Sequence, residues 1–379
     1  VCRSRKFFKA DKENPIRFRS DGQRPKGHRQ LCLPSYGERV IPNFNSVGMI
    51  RSEEIFNESH SFEEKALHVF EFQRSNNPVY KRFCNALEMG EVSSISKIPL
   101  LPIQAFKDAE VITATANSKS KIQNLKFQSS GTSGMSRSTH IVSDPELYRQ
   151  SIIKGMNQFY DLDEYVIWAY TPGYIENPNS SLIWMLNTLI ERENSGMSRF
   201  LKLDQHLDKQ ELDLVQKSGK KLMLFGAAFG LLDILARQEI QLPEDSIILE
   251  TGGMKTHRRE ITKEALHQKL AEGFGLPKTR VHSEYGMAEL LSQAYSQEGQ
   301  WFKCVPWMKV SIRNPKNPME EVEVGEEGLI GVMDLANLYS CSFILTGDKG
   351  IQREDGKFQV LGRWNPENLR GCNFLIDQD

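Results

Sequence analysis

Six consecutive residues, Ser129, Ser130, Gly131, Thr132, Ser133 and Gly134, carry only hydroxyl or hydrogen side chains. Such a run cannot contribute to a packed core, so whatever fold the chain adopts must leave it as a loop. Glycine tolerates positive φ, so Gly131 and Gly134 let the backbone curl and turn successive N–H groups inward, and the hydroxyls add donors. A concave set of donors suits phosphate oxygens. Arg137, three residues on, adds a guanidinium that pairs well with phosphate. Composition alone also allows a flexible polar linker. The flanks favour the anion loop: Leu125 and Phe127 read as a strand entering it, and residues 146–159 as a helix soon after. The Gly-Lys-Ser/Thr ending of the P-loop nucleoside triphosphatases is missing.

The rest of the chain bounds the fold. Its 379 residues suit one large domain or two, and a hydrophobic fraction of 39% supports a sizeable core. No apolar run reaches the roughly 18 to 20 residues of a membrane span. The cysteines (Cys2, Cys32, Cys84, Cys304, Cys341, Cys372) show no paired spacing, no C-x-x-C and no clustered His/Cys set. Neither a disulfide framework nor zinc is expected, and the cytoplasm is the default compartment. Residues 1–48 hold eleven Lys or Arg against four Asp or Glu, a net of +7, while the remainder is near −8. That arm lacks periodicity. It reads as a basic, disordered extension, with a tether to nucleic acid or membrane or a targeting peptide as the alternatives.

Hydrophobic periodicity places helices at 61–88 in two pieces broken by Asn76-Asn77-Pro78, then at 180–190, 207–218, 229–238 and 261–273. Strands are expected at 111–113, 165–170, 221–225, 246–251 and 280–282. Alternation of the two predicts an α/β core over 49–300 with a largely parallel sheet. Beyond 300 the pattern changes to short strands, at 309–313, 321–324, 329–334, 341–345 and 358–361, a β-rich subdomain over 301–379.

Three further loops carry chemistry. Gly252-Gly253 ends a strand, where open α/β sheets place ligand crevices. Tyr285-Gly286-Met287-Ala288-Glu289 offers an aromatic face beside a glycine and a carboxylate able to hold Mg²⁺ on phosphate oxygens. Thr346-Gly347-Asp348, followed by Gly362-Arg363, puts a carboxylate on a tight turn, where it can accept both ribose hydroxyls. Each alone is a weak signal that reads as readily, and for the Tyr285 segment more readily, as an ordinary turn or helix start. Their order and spacing make the combination informative.

S-S-G-T-S-G, Y-G-M-A-E, T-G-D and G-R together resemble the adenylate-forming superfamily of acyl-CoA synthetases, over residues 127–363. The resemblance implies that Ser129 to Gly134 wrap the phosphates of ATP, that Tyr285 and Gly286 meet adenine with Gly252 and Gly253, and that Glu289 meets Mg²⁺. It gives Asp348 the ribose, with Arg363 beside it. Q-R-S-N-N-P-V-Y, I-P-L-L-P-I-Q-A-F-K, T-P-G-Y-I-E-N-P-N-S-S-L-I-W-M, G-G-M-K-T-H-R-R-E-I-T and L-R-G-C-N-F-L narrow the match. They look like acyl-protein synthetases of the LuxE type, which form acyl-AMP and carry the acyl group on a cysteine near their C-terminus. Here that cysteine is Cys372, a thiolate nucleophile with Gly371 leaving room beside it.

The implied fold is that of an adenylate-forming N-terminal domain with a β-rich subdomain, the C-terminal lid domain being absent or vestigial. The implied partners are a carboxylic acid, chiefly a fatty acid, and an acyl reductase, with no nucleic acid. One departure stands out. The superfamily's loop usually ends in lysine, whereas this one continues Met135-Ser136-Arg137, which makes Arg137 the expected substitute and Lys255 a second candidate. Two rival readings remain: a phenylacetate-CoA-ligase-like enzyme releasing acyl-CoA, and a non-catalytic nucleotide-binding scaffold.

Overall fold

The computed structural model describes residues 51–114, 124–129, 137–174, 177–252 and 261–364. A seven-stranded sheet forms the centre. From edge to edge its strands are Lys303–Cys304, Ala294–Ser296, Val281–Tyr285, Ile247–Thr251, Lys221–Ala227, Tyr165–Tyr170 and Arg199–Phe200. The last five are parallel, and the first two run antiparallel to their neighbours.

The sequences of the inner strands explain their position. Y-V-I-W-A-Y and, after its first residue, K-L-M-L-F-G-A are apolar because helices cover both faces. Val166, Trp168, Leu222, Leu224 and Ile248 pack on one side with residues of helices Lys209–Lys217, Ala228–Arg237 and Lys263–Phe274. Ile167, Ala169, Met223, Phe225, Ile247 and Leu249 face the other side, toward helices Pro145–Met156 and Ser181–Arg192. Gly226 is required where it stands, since a Cβ there would come within 2.5 Å of Tyr170 O.

The second sheet, six-stranded and mostly antiparallel, shares that latter core. Its strands are Leu101–Pro102, Phe343–Gln352, Gly328–Asp334, Met308–Asn314 and Asn317–Glu321, with Phe358–Arg363 paired to Phe343–Gln352. Leu101–Pro102 sits at an edge, the place a proline permits. Helices Phe62–Asn76 and Pro78–Ala86 meet at Asn77, whose side chain accepts the N–H groups of Val79 and Tyr80 and caps the second helix. Among the described residues no helix is long and apolar enough to cross a membrane.

Three expectations need correction, the first being the strand expected at 321–324, which lies at Asn317–Glu321 instead. Residues 111–113 form no strand. Thr113 spends its N–H on Tyr339 O at 2.9 Å and its hydroxyl on Ser340 O, so a loop takes the bonds that a ladder would need. Asp348 does not lie on a tight turn. It is inside strand Phe343–Gln352, opposite Arg363.

Candidate active site

The carboxyl ends of the parallel strands bring Thr251-Gly252 and Tyr285 to one rim, the usual location of ligand crevices in open sheets. Gly252 has φ of 79°, a conformation that suits glycine. Tyr285 Oη donates to Asp348 Oδ2 at 2.9 Å. The other carboxylate oxygen pairs with Arg363 Nε at 3.0 Å, and the Arg363 side chain is 55% exposed. The Tyr285 ring packs edge-on against Phe358, with centroids 5.5 Å apart, and against Phe302 at 5.9 Å. Burial, reinforced by the Asp348 charge, raises the Tyr285 phenol well above its ordinary pKa, so it stays a donor.

The Ser/Thr/Gly run emerges from a hairpin, Leu125–Gln128 paired with Thr139–Val142. Its stem is closed by Ser129 N to Ser138 O and by Ser138 N to Ser129 Oγ, both at 3.2 Å. Arg137 is exposed at this stem. Ser130, Gly131, Thr132, Ser133, Gly134, Gly253, Lys255 and Cys372 lie outside the described residues. The stem is tied to the Tyr-Gly segment at two points. Ser138 Oγ donates to Glu289 Oε1, and His140 Nδ1 lies 2.8 Å from Ala288 O. Burial lowers the His140 pKa to about 4, so the ring is neutral and Nδ1 is assigned the proton that this bond needs. Glu289 is only 4% exposed, not the surface carboxylate that an ordinary helix start would give. Its carbonyl accepts from Asn337 Nδ2 at 2.8 Å.

Ser129, Gly252, Tyr285, Gly286, Glu289, Asp348 and Arg363 thus belong to one linked region. Sequence reasoning missed Ser138, Asn337 and Asp334, the last of which accepts the N–H groups of Leu291 and Ser292 just past Glu289. It also missed two carboxylates on adjacent strands. Glu250 and Ser283 are opposed in register, and so are Thr251 and Glu284. Burial would raise the Glu250 pKa, but Lys263, His267 and Ser283 converge on its Oε1 and hold it at about 2. Among the described residues no cation pairs directly with the Glu284 carboxylate. Burial pushes it up to about 7, against the hydroxyl of Thr251 donating to Oε2 and the lesser influence of Lys263. Gly286 leaves room for this group, since a Cβ there would meet Glu284 Oε1 at 2.4 Å. No motif marks these positions. The only sequence signal was a charged residue inside a strand.

The described cysteines are poor nucleophiles. Burial raises the thiol of Cys84 to about 11 and those of Cys304 and Cys341 to about 12.

The fold is that of the adenylate-forming ligases. A 2-hydroxyisobutyryl-CoA ligase, solved in an open conformation with 2-HIB-AMP and CoA, superposes with a TM-score of 0.56 at 12% identity, covering 79% of this chain and 68% of that one. Within that class the assignment is narrower. The acyl-protein synthetase, LuxE, profile matches residues 44–379, and the chain belongs to that family. Among its relatives is the long-chain-fatty-acid–luciferin-component ligase of Vibrio harveyi, 24% identical over 331 residues, covering 82% of this chain and 85% of the relative. The protein of the same name from Aliivibrio fischeri is 25% identical over 341 residues, covering 84% and 88%.

Proposed function

We propose that this acyl-protein synthetase uses ATP to activate a long-chain fatty acid as acyl-AMP, then takes the acyl group onto its own Cys372 for delivery to an acceptor such as a reductase. The observation that carries the nucleotide half is the linked set Tyr285–Asp348–Arg363 at the rim of the parallel sheet, beside Glu289 and the stem of the hydroxyl-rich loop. A planar ring and a buried acceptor suit a nucleoside, and a carboxylate beside a loop of donors suits its phosphates. The names of the bacterial relatives support the fatty acid.

Two substitutions at phosphorus and carbon complete the reaction. The fatty-acid carboxylate oxygen attacks the α-phosphorus and pyrophosphate leaves, giving the mixed anhydride. The Cys372 thiolate then attacks the acyl carbon, the C–O bond to AMP breaks, and a thioester forms. Ser129, Ser130, Gly131, Thr132, Ser133 and Gly134 would hold the phosphates, with Arg137 supplying charge where the superfamily has lysine. Asp348 would hold the ribose, and Gly252, Gly253 and Gly286 would let the base approach the backbone.

Glu289 is the residue for Mg²⁺. Among the described residues no group of three or more His, Cys, Asp or Glu could hold a metal. One carboxylate suffices for Mg²⁺ that is also bound by nucleotide phosphates. When bound, the ion supplies neutralisation of phosphate charge. The high thiol pKa values of Cys84, Cys304 and Cys341 support an acyl carrier elsewhere in the chain, as Cys372 is.

The test is fatty-acid-dependent exchange of labelled pyrophosphate into ATP, without coenzyme A. Exchange that rises with long-chain acids and falls at least ~100-fold in Glu289→Gln supports the reading. AMP release that requires coenzyme A would point instead to an acyl-CoA ligase.

A further inference from the structure

Asp334 ends strand Gly328–Asp334 and is fully buried. Its Oδ2 accepts Leu291 N at 2.8 Å and Ser292 N at 2.9 Å. Its Oδ1 accepts Ser292 Oγ at 2.6 Å and Ala336 N at 3.1 Å. All four partners are neutral. A buried carboxylate held only by neutral donors is a costly way to join two segments, compared with apolar packing. What it provides is geometry. Donors approach both oxygens, a requirement asparagine cannot meet, because its amide nitrogen would face a donor.

Three residues on, Asn337 Nδ2 donates to Glu289 O at 2.8 Å. Between these ties Leu290 N closes a turn on Met287 O at 3.1 Å, and the Leu290 side chain is buried. The main chain of each of residues 289 to 292 therefore has a fixed hydrogen-bond partner. The cradle is itself braced, because Gln73 Nε2 on helix Phe62–Asn76 donates to Asn337 O at 2.9 Å and Leu338 O at 3.0 Å. A carboxylate whose backbone is pinned on its C-terminal side, and whose Oε1 meets Ser138, has little freedom in where it points.

We propose that Asp334, together with Asn337, is a positioning residue for Glu289 that sets its carboxylate for the magnesium–nucleotide. This rests on the reading of Glu289 as the Mg²⁺ residue. The cradle acts through the main chain and touches neither nucleotide nor acid. Its loss therefore appears in the metal requirement rather than in nucleotide affinity.

The experiment measures the initial rate of fatty-acid-dependent pyrophosphate release against free Mg²⁺, at saturating ATP, for the full chain and for Asp334→Asn, Asn337→Ser and Glu289→Gln. Melting temperatures are taken alongside. The expected result is a half-saturating Mg²⁺ raised about tenfold in Asp334→Asn and about threefold in Asn337→Ser, with the KM for ATP at saturating Mg²⁺ within about threefold of the parent. Lowered melting temperatures with unchanged Mg²⁺ half-saturation in both variants would overturn the proposal and leave a structural tie. If Asp334→Asn fails to fold, Asn337→Ser decides by the same criterion. If Glu289→Gln shifts the Mg²⁺ dependence and neither cradle variant does, only this inference falls. If Glu289→Gln leaves it unchanged, the metal reading falls and takes the inference with it.

Discussion

Tyr285 Oη donates to Asp348 Oδ2 at 2.9 Å, joining the rim of the parallel sheet to a strand of the antiparallel one. The bond holds one oxygen of the carboxylate while Arg363 holds the other. Asp348 is thereby held in one orientation, which on the proposed nucleotide role would reduce the ordering cost of binding.

Tyr285→Phe keeps the ring and its packing on Phe302 and Phe358 and removes only that donor. A hydrogen bond to a charged group contributes about 1.5 to 3 kcal/mol. The KM for ATP should therefore rise about tenfold or more while kcat stays within about threefold. Steady-state kinetics at varied ATP checks this. A KM equal to that of the parent would show that the bond does not orient Asp348 for the nucleotide.

The pKa of Glu284 makes stability depend on pH in a defined direction. Its folded value of about 7 stands above the ordinary 4.5. Between these values the folded state holds a proton that the unfolded state has released, so this group's effect is to lower stability as pH rises from about 4.5 to 7. Glu284→Gln should be more stable than the parent at pH 8, by up to about 3 kcal/mol, and the gain should vanish below the ordinary carboxylate pKa. Urea denaturation at pH 8 and at mildly acidic pH measures both. Equal stabilities at pH 8 would mean that Glu284 bears no such penalty.

Glu250 behaves in the opposite way. Its pKa, held at about 2 by Lys263, His267 and Ser283 against the effect of burial, gives stability that is present above 4.5 and lost as pH falls toward 2. Lys263→Met strands a buried carboxylate and should cost about 3 to 5 kcal/mol. Adding Glu250→Gln to that variant should recover most of the loss. A double variant no more stable than the single one would contradict the pairing.

The strands of the parallel sheet were legible because both faces are covered and their inner sequences are apolar, as in 165–170 and 222–225. Tyr285, Glu289 and Asp348 could be singled out because they stand in short motifs, and the bond between Tyr285 and Asp348 is what the structure adds. Ser138, Asp334 and Asn337 were not, since each reaches the site across 42 to 151 positions of sequence, and an isolated Ser, Asp or Asn carries no signal of that reach. Residues 111–113 misled because β-branched side chains favour a strand only where a partner edge exists. The structure gives Thr113 two loop carbonyls instead.

Self-acylation is the central claim, and intact-protein mass tests it most directly. The full chain would be incubated with ATP, Mg²⁺ and a panel of long-chain fatty acids, without coenzyme A, beside Cys372→Ser. The account predicts one added acyl group on the parent, released by hydroxylamine and missing from the variant. An adduct that persists in Cys372→Ser, or acyl-AMP formation with no adduct on the parent, would contradict it.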